Sequence, residues 1–140
     1  MKNNITTNMD TMDEIIQRLL ILENLVSNSS VSEDIIDLIV LTTILTYDDI
    51  YTYVTSKETL KARKTQSNLL TPEERSMLIE ILRIIKYAFM VFGDLNKATN
   101  WLRKPKRQLK GKCPMNLLGK NDGIDVIRQW LIKIEHGIAV

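Results

Sequence analysis

The sequence predicts an all-α protein, with a helix-turn-helix N-terminal half joined by a long helix to a small helical C-terminal domain. Apolar residues recur at helical spacing through most of the 140-residue chain. Helix-start patterns stand in front of those stretches: Thr11-x-x-Glu14, Ser30-x-x-Glu33, Thr55-x-x-Glu58 and Thr71-Pro72-Glu73-Glu74. No Gly/Pro/Ser-rich stretch separates the two halves, so they are expected to form one continuous molecule of about seven or eight helices.

Residues Met1 to Met9 are polar and rich in Asn and Thr, and are expected to be loosely ordered. The first helix is predicted over about 12–27, with Met12, Ile15, Leu19, Leu22 and Val26 on one face. Ile16, Leu20, Ile21 and Leu25 make that stripe wider than one packing surface requires. Either a second subunit or deep burial in the chain's own core accounts for the width. A second helix is predicted over about 32–45, with Ile35, Leu38, Ile39, Thr42 and Leu45 inward. Its many β-branched residues lower its intrinsic helix propensity.

Thr46-Tyr47-Asp48-Asp49 reads as the start of a short helix closing near Val54, with both aspartates near the positive end of the helix dipole. The next helix, capped at Thr55 and anchored by Leu60, completes the dimensions of a helix-turn-helix. Its outer positions offer Ser56, Lys57, Thr59, Lys61, Arg63 and Lys64, hydroxyls and long cations of the kind that contact phosphates and guanine edges. The longest helix should start at Thr71, with proline at its first position, and stop at Gly93. Leu78, Ile81, Leu82, Ile85, Ala88, Phe89 and Phe92 give it one broad apolar face. At some twenty residues it would be about 30 Å long, a spine for the molecule.

Whole-chain properties narrow the function classes. The composition is 44% apolar and 26% charged, ordinary for a globular protein. The single cysteine, Cys113, permits no intramolecular disulfide, and no secretory signal pattern opens the chain. The longest uncharged apolar-rich run, Leu38 to Tyr47, is too short to span a bilayer, so a cytoplasmic protein with no membrane role is expected. Net charge is +2, but residues 93–140 carry ten basic and four acidic groups, a surplus of six. From Lys97 to Lys120 there are eight basic residues and no acidic one, a block suited to nucleic acid, an acidic protein surface or plain solvation.

No enzyme is expected. The lone histidine, His136, has no metal-ligand companions, and Cys113 has no base or oxyanion arrangement around it. The five glycines form neither a dinucleotide fingerprint nor a P-loop. No cofactor and no metal are implied.

The most distinctive stretch lies at the C-terminal end: F-G-D, then A-x-x-W-L, L-x-G-x-x-P-x-x-L-L, and a final amphipathic segment from Asn121 that Gly137 stops. It comprises Phe92, Gly93, Asp94, Ala98, Trp101, Leu102, Leu109, Gly111, Pro114, Leu117, Leu118, Gly123, Leu131, Ile134 and Gly137, with Asp125–Val126 close to a further valine position. This order resembles the toxin-binding domain of the Xre/MbcA/ParS antitoxins. The segment T-S-K-E-T-L-K-A-R-K is similar to that family's helix-turn-helix, with Ala62 where a second arginine is frequent. The resemblance implies three regions: an N-terminal helix over 1–30 for dimerisation or core, an Xre-like helix-turn-helix with its connecting helix over 31–92, and the toxin-binding domain over 93–140.

The resemblance further implies a partner, a toxin of the RES type, which is similar to NAD-consuming or ADP-ribosylating enzymes. In antitoxins of this kind the C-terminal helix and tail bear on the toxin. The expected toxin-binding set is therefore Lys133, His136, Ile138 and Val140 with Trp130 and the basic segment Arg103, Lys104, Arg107 and Lys110. Trp101, Leu102, Gly111 and Pro114 are expected to be structural, with the Trp101–Leu102 pair as keystone. The function expected is an antitoxin that blocks a RES-like toxin by contact and represses its own operon at operator DNA, as a homodimer or a larger assembly with toxin. A stand-alone regulator and a non-DNA-binding adaptor with a degenerate helix-turn-helix are the alternatives.

Overall fold

The computed structural model describes residues 11–138. The expected loose N-terminus and Val140 lie outside the described residues. Those residues form seven α-helices and two 3-10 turns: α1 Met12–Asn28, α2 Glu33–Thr42, α3 Tyr47–Tyr53, α4 Lys57–Ala62, α5 Pro72–Phe92, α6 Leu95–Arg103, the turns Arg107–Leu109 and Pro114–Gly119, and α7 Gly123–Glu135. The fold is all-α, as the periodicity predicts.

The spine is α5. Thr71 accepts from the Glu74 amide while the Glu74 carboxylate accepts from the Thr71 amide, and Pro72 occupies the first turn. Gly93, at φ 66°, ends the helix in the left-handed conformation. Its buried face, Leu78, Ile81, Leu82, Ile84, Ile85, Ala88 and Phe89, is the predicted one with Ile84 added and Phe92 half-exposed. Every fully buried Leu or Ile of this kind contributes about 1.5–3 kcal/mol relative to exposure.

Two helices lie along the spine. Glu23 of α1 accepts from Arg83 and Lys86 at 2.9 and 3.3 Å, while Met12 approaches Gly93, so α1 runs antiparallel to α5. Arg128 of α7 reaches Glu80 at 3.5 Å and the Tyr87 hydroxyl donates to Glu135 at 2.8 Å, so α7 runs parallel to it. Buried residues from every α-helix but α4 join one hydrophobic cluster, and Leu60 of α4 packs against it.

The N-terminal elements depart from expectation at three places. The cap of α2 is Ser32, where Ser30 was expected, because Val31 is buried and held extended by hydrogen bonds with Asn68 and Leu69. The same helix ends at Thr42, short of 45. The Thr42 and Thr43 hydroxyls donate back to Leu38 and Ile39 carbonyls at 2.7 Å, and Thr43 takes an extended conformation. Its buried residues are Ile36 and Ile39, and Ile35 packs against the core as expected, whereas Leu38 is 39% exposed and Leu45 is buried from the following loop. The third departure is the start of α4. Thr55 is buried, and Ser56 caps the helix by accepting from the Thr59 amide at 3.1 Å.

Candidate functional site

The C-terminal third is built around Trp101 and the turns that follow it. Asp94 caps α6 by accepting from the Lys97 amide at 2.9 Å, and Ala98 and Leu102 face the core. Pro114, Met115 and Leu118 of the second 3-10 turn are also buried. Gly123, where α7 begins, sits against the backbone of that turn: a Cβ there would lie 1.6 Å from the Leu117 carbonyl oxygen. Only glycine allows this approach. Gly111 lies on the exposed loop at φ 86° with open space around it, so its role is conformational.

Trp101 is only partly buried and forms a shelf with its neighbours. Its ring lies 5.8 Å from Phe92 and 6.4 Å from Trp130, the latter edge-on at 79°. The Lys106 ammonium stands 5.4 Å from the Trp101 centroid. Burial, and secondarily the charge of Lys104, lowers the Lys106 pKa below the usual lysine value. Trp101 packs against the core, as a structural role requires, and its ring also meets Trp130 in one aromatic cluster. Phe92 and Lys106 are members that the sequence reading did not assign to a site.

Arg103 differs from the other cations of the segment in having a partner within the chain. Its guanidinium turns inward onto α3, donating to both Asp49 carboxylate oxygens at 2.6 and 3.2 Å and to the Ile44 carbonyl at 2.8 Å. Asp49, 8% exposed, also accepts from the Thr46 amide at 2.8 Å. Burial alone would raise the Asp49 pKa, but Arg103 and Thr46 outweigh it and hold the carboxylate below its ordinary range. The Asp49 hydrogen bond in turn raises the Arg103 pKa. Arg103 is thus a clamp between the C-terminal module and the short helix pair. A second tie lies at the other end of α3, where the Asn116 side-chain amide donates to the Tyr53 hydroxyl at 3.2 Å.

The remaining cations of the segment are placed differently. Lys104, Arg107, Lys110 and Lys112 are exposed, and no carboxylate partner is found for them among the described residues. Lys133 and His136 are exposed at the end of α7. The helix closes with Gly137 at φ 77°, the Gly137 amide donating to Ile134 and the Ile138 amide to Lys133. The His136 ring nitrogen Nδ1 lies 2.9 Å from the Ile132 carbonyl, and Ile138 is 55% exposed. Val140 lies outside the described residues.

In the helix pair, α3 is capped as predicted, with Thr46 and Asp49 bonding reciprocally. Helix α4 has six residues, about 9 Å. The Ser56 hydroxyl donates to Thr59 Oγ1 at 2.8 Å. Arg63 donates to the Leu69 carbonyl at 2.8 Å and pairs with Glu74 at 2.6 Å. Burial would raise the Glu74 pKa, but the Arg63 hydrogen bond, with Thr71 and Thr55, lowers it. Of the six expected DNA contacts, Lys57, Lys61 and Lys64 stand free on the surface, while Ser56, Thr59 and Arg63 also bond within the chain.

No group of three or more His, Cys, Asp or Glu among the described residues could hold a metal ion. No helix among them is long and apolar enough to cross a membrane.

Residues 88–137, which carry the aromatic shelf and the Gly123 contact, match the model of the antitoxin Xre/MbcA/ParS C-terminal toxin-binding domain. This region belongs to that family. Antitoxin Xre of Pseudomonas putida is 34% identical over 82 residues, 59% of this chain and 52% of the relative. Antitoxin Xre of Yersinia enterocolitica is 30% identical over 80 residues, 56% of this chain and 54% of the relative. That of Photorhabdus laumondii is 30% identical over 70 residues, 49% and 47% of the two chains. The matches thus span about half the length of these relatives. The structure gives physical reasons for several positions of the toxin-binding domain: Gly93 as helix stop, Asp94 as cap, Gly123 as close approach and Gly137 as second stop.

Proposed function

We propose that this protein is the antitoxin of a toxin–antitoxin pair, neutralising a RES-like toxin by direct contact and repressing its own operon through the α3–α4 helix pair. The toxin-binding family of residues 88–137 carries this reading. Within that domain the outward face of α7's last turns, with Trp130, Lys133, His136 and Ile138, is the contact surface we assign. Partner interfaces take their energy from a few aromatic and apolar anchors, and the Trp101–Trp130 pair and the exposed Ile138 are residues of that chemistry. The mechanism is steric occlusion, with no reaction performed by the antitoxin itself.

Repression at paired half-sites calls for a dimer. An outward apolar face supports one: Ile21 is 57% and Leu41 82% exposed, and Ile21, Leu22 and Leu38 line an open groove of about 500 Å³ between α1 and α2. The internal bonding of Ser56, Thr59 and Arg63 favours a second reading, an adaptor that binds toxin without reading DNA.

Co-expression with the product of the adjacent reading frame tests the main proposal, by pull-down followed by growth rescue. A stable complex that relieves toxicity is the expected result. No complex and no toxicity would refute the antitoxin role, and absence of binding to its own upstream DNA would favour the adaptor.

A further inference from the structure

The basic segment 104–112 is tied to the helix pair at both ends. On one side Arg103 clamps Asp49 near the start of α3; on the other Asn116 donates to Tyr53 at its end. Between these anchors the loop is internally bonded. The Lys106 amide donates to the Lys112 carbonyl at 2.9 Å, the Gly111 amide to Lys106 at 3.1 Å and the Lys112 amide to Leu109 at 3.1 Å. It is an internally bonded strip of cations held between two ties to α3.

The helix pair itself is electrostatically weak. Once Asp49 is paired with Arg103 and Arg63 with Glu74, its surface holds Lys57, Lys61 and Lys64 against Asp48 and Glu58, a surplus of one. A DNA duplex carries about one negative charge per 1.7 Å of axis, and affinity depends on how many phosphates are neutralised. The adjacent loop supplies what the pair lacks: Lys104, Arg107, Lys110 and Lys112, all exposed and free of carboxylate partners among the described residues. Its composition suits a polyanion better than a protein partner, since protein interfaces are depleted of lysine and centred on aromatic anchors.

We propose that loop 104–112 contacts the phosphate backbone of DNA engaged by α3–α4, so that the C-terminal module provides the clamp for the reading helix. This rests on the DNA-binding part of the function proposed above. The loop then serves DNA, whereas the α7 surface serves the toxin.

The test is binding of the full chain to a fluorescent random-sequence duplex and to the chain's own upstream DNA across a salt series. The comparison is with a K104Q/R107Q/K110Q/K112Q variant, checked for an unchanged thermal transition. Each lost phosphate contact should reduce the slope of log K against log salt by about 0.9, so a reduction of about 3.6 on both duplexes is expected if all four cations contact phosphate. A K57Q/K61Q/K64Q variant should lose preference for the upstream DNA yet keep a residual slope. Wild-type binding with an unchanged slope in the loop variant overturns the loop contact alone. No DNA binding by the wild type overturns both the contact and the repressor role. Loss of toxin affinity with DNA binding intact also overturns the proposal, returning the loop to the toxin surface.

Discussion

Replacing Arg103 with methionine should separate the C-terminal module from the helix pair without emptying the space its side chain fills. The substitution removes two charged hydrogen bonds to Asp49 and one to the Ile44 carbonyl. Hydrogen bonds to charged groups contribute about 1.5–3 kcal/mol each, and stranding one partner of a buried pair costs about 3–5 kcal/mol. The Arg103 side chain is 33% exposed, so water screens part of the attraction, and Asp49 keeps its Thr46 donor. The net expectation is a loss of about 2 kcal/mol near neutral pH, read by urea denaturation. For a chain of this size that corresponds to about 6–8 °C in Tm.

The pH dependence gives an independent check with a definite sign. Asp49 titrates below its ordinary value when folded, so the unfolded chain takes up the proton first as pH falls. The stabilisation is fully present above the unfolded value, about pH 4, and is lost as pH falls through the lower folded value. The stability gap between wild type and Arg103→Met should therefore be full while Asp49 is ionised in both folded proteins, and shrink as pH falls through the variant's Asp49 value, which lacks the lowering by Arg103, towards the wild type's lower one. Glu23 and Glu74 are also lowered, but they titrate alike in both proteins and cancel in the difference. A gap under about 0.5 kcal/mol at neutral pH would mark the pair as an ordinary surface contact and refute the clamp.

Other perturbations probe the remaining assignments. Gly123→Ala forces a Cβ to within 1.6 Å of a backbone oxygen, which no rotamer change relieves. We expect about 3 kcal/mol or more of destabilisation, at or above the upper range of overpacking, and a loss within about 0.5 kcal/mol would show that the turn yields easily. The pair His136→Ala and Ile138→Asp should weaken toxin binding at least tenfold while leaving the thermal transition in place; calorimetry showing unchanged affinity would remove the end of α7 from the interface. Ile21→Glu with Leu41→Glu should leave a folded monomer in sedimentation equilibrium, and an assembly state equal to wild type would move the dimer contact elsewhere.

What was legible in the chain followed the range of the interactions concerned. Thr71, Pro72, Glu74 and Gly93 act within their own helix, and local pattern located both ends of α5. Ser32 became a cap because Val31 was bound by Asn68 and Leu69, many residues away, and Ser56 because Thr55 was taken into the interior. A capping box is defined over four residues and cannot register such competition. The outward turn of Leu38 has the same origin: α2 is short and β-branched, so tertiary packing set its face.

The same distinction explains the changed role of Arg103. In sequence it is one of eight cations in an acid-free block, and nothing adjacent separates it from Lys104 or Arg107. Its partner Asp49 is 54 residues away and had a complete local explanation as a helix-start aspartate. A local explanation leaves a long-range role unmarked in the sequence, and here that role joins the C-terminal module to the helix pair. Because Arg103 closes α6 and the cationic loop begins at Lys104, the clamp fixes where that loop stands relative to α3. If the loop contacts DNA as proposed, breaking the clamp should reduce DNA affinity through the loop's position even though Arg103 is itself bonded to Asp49.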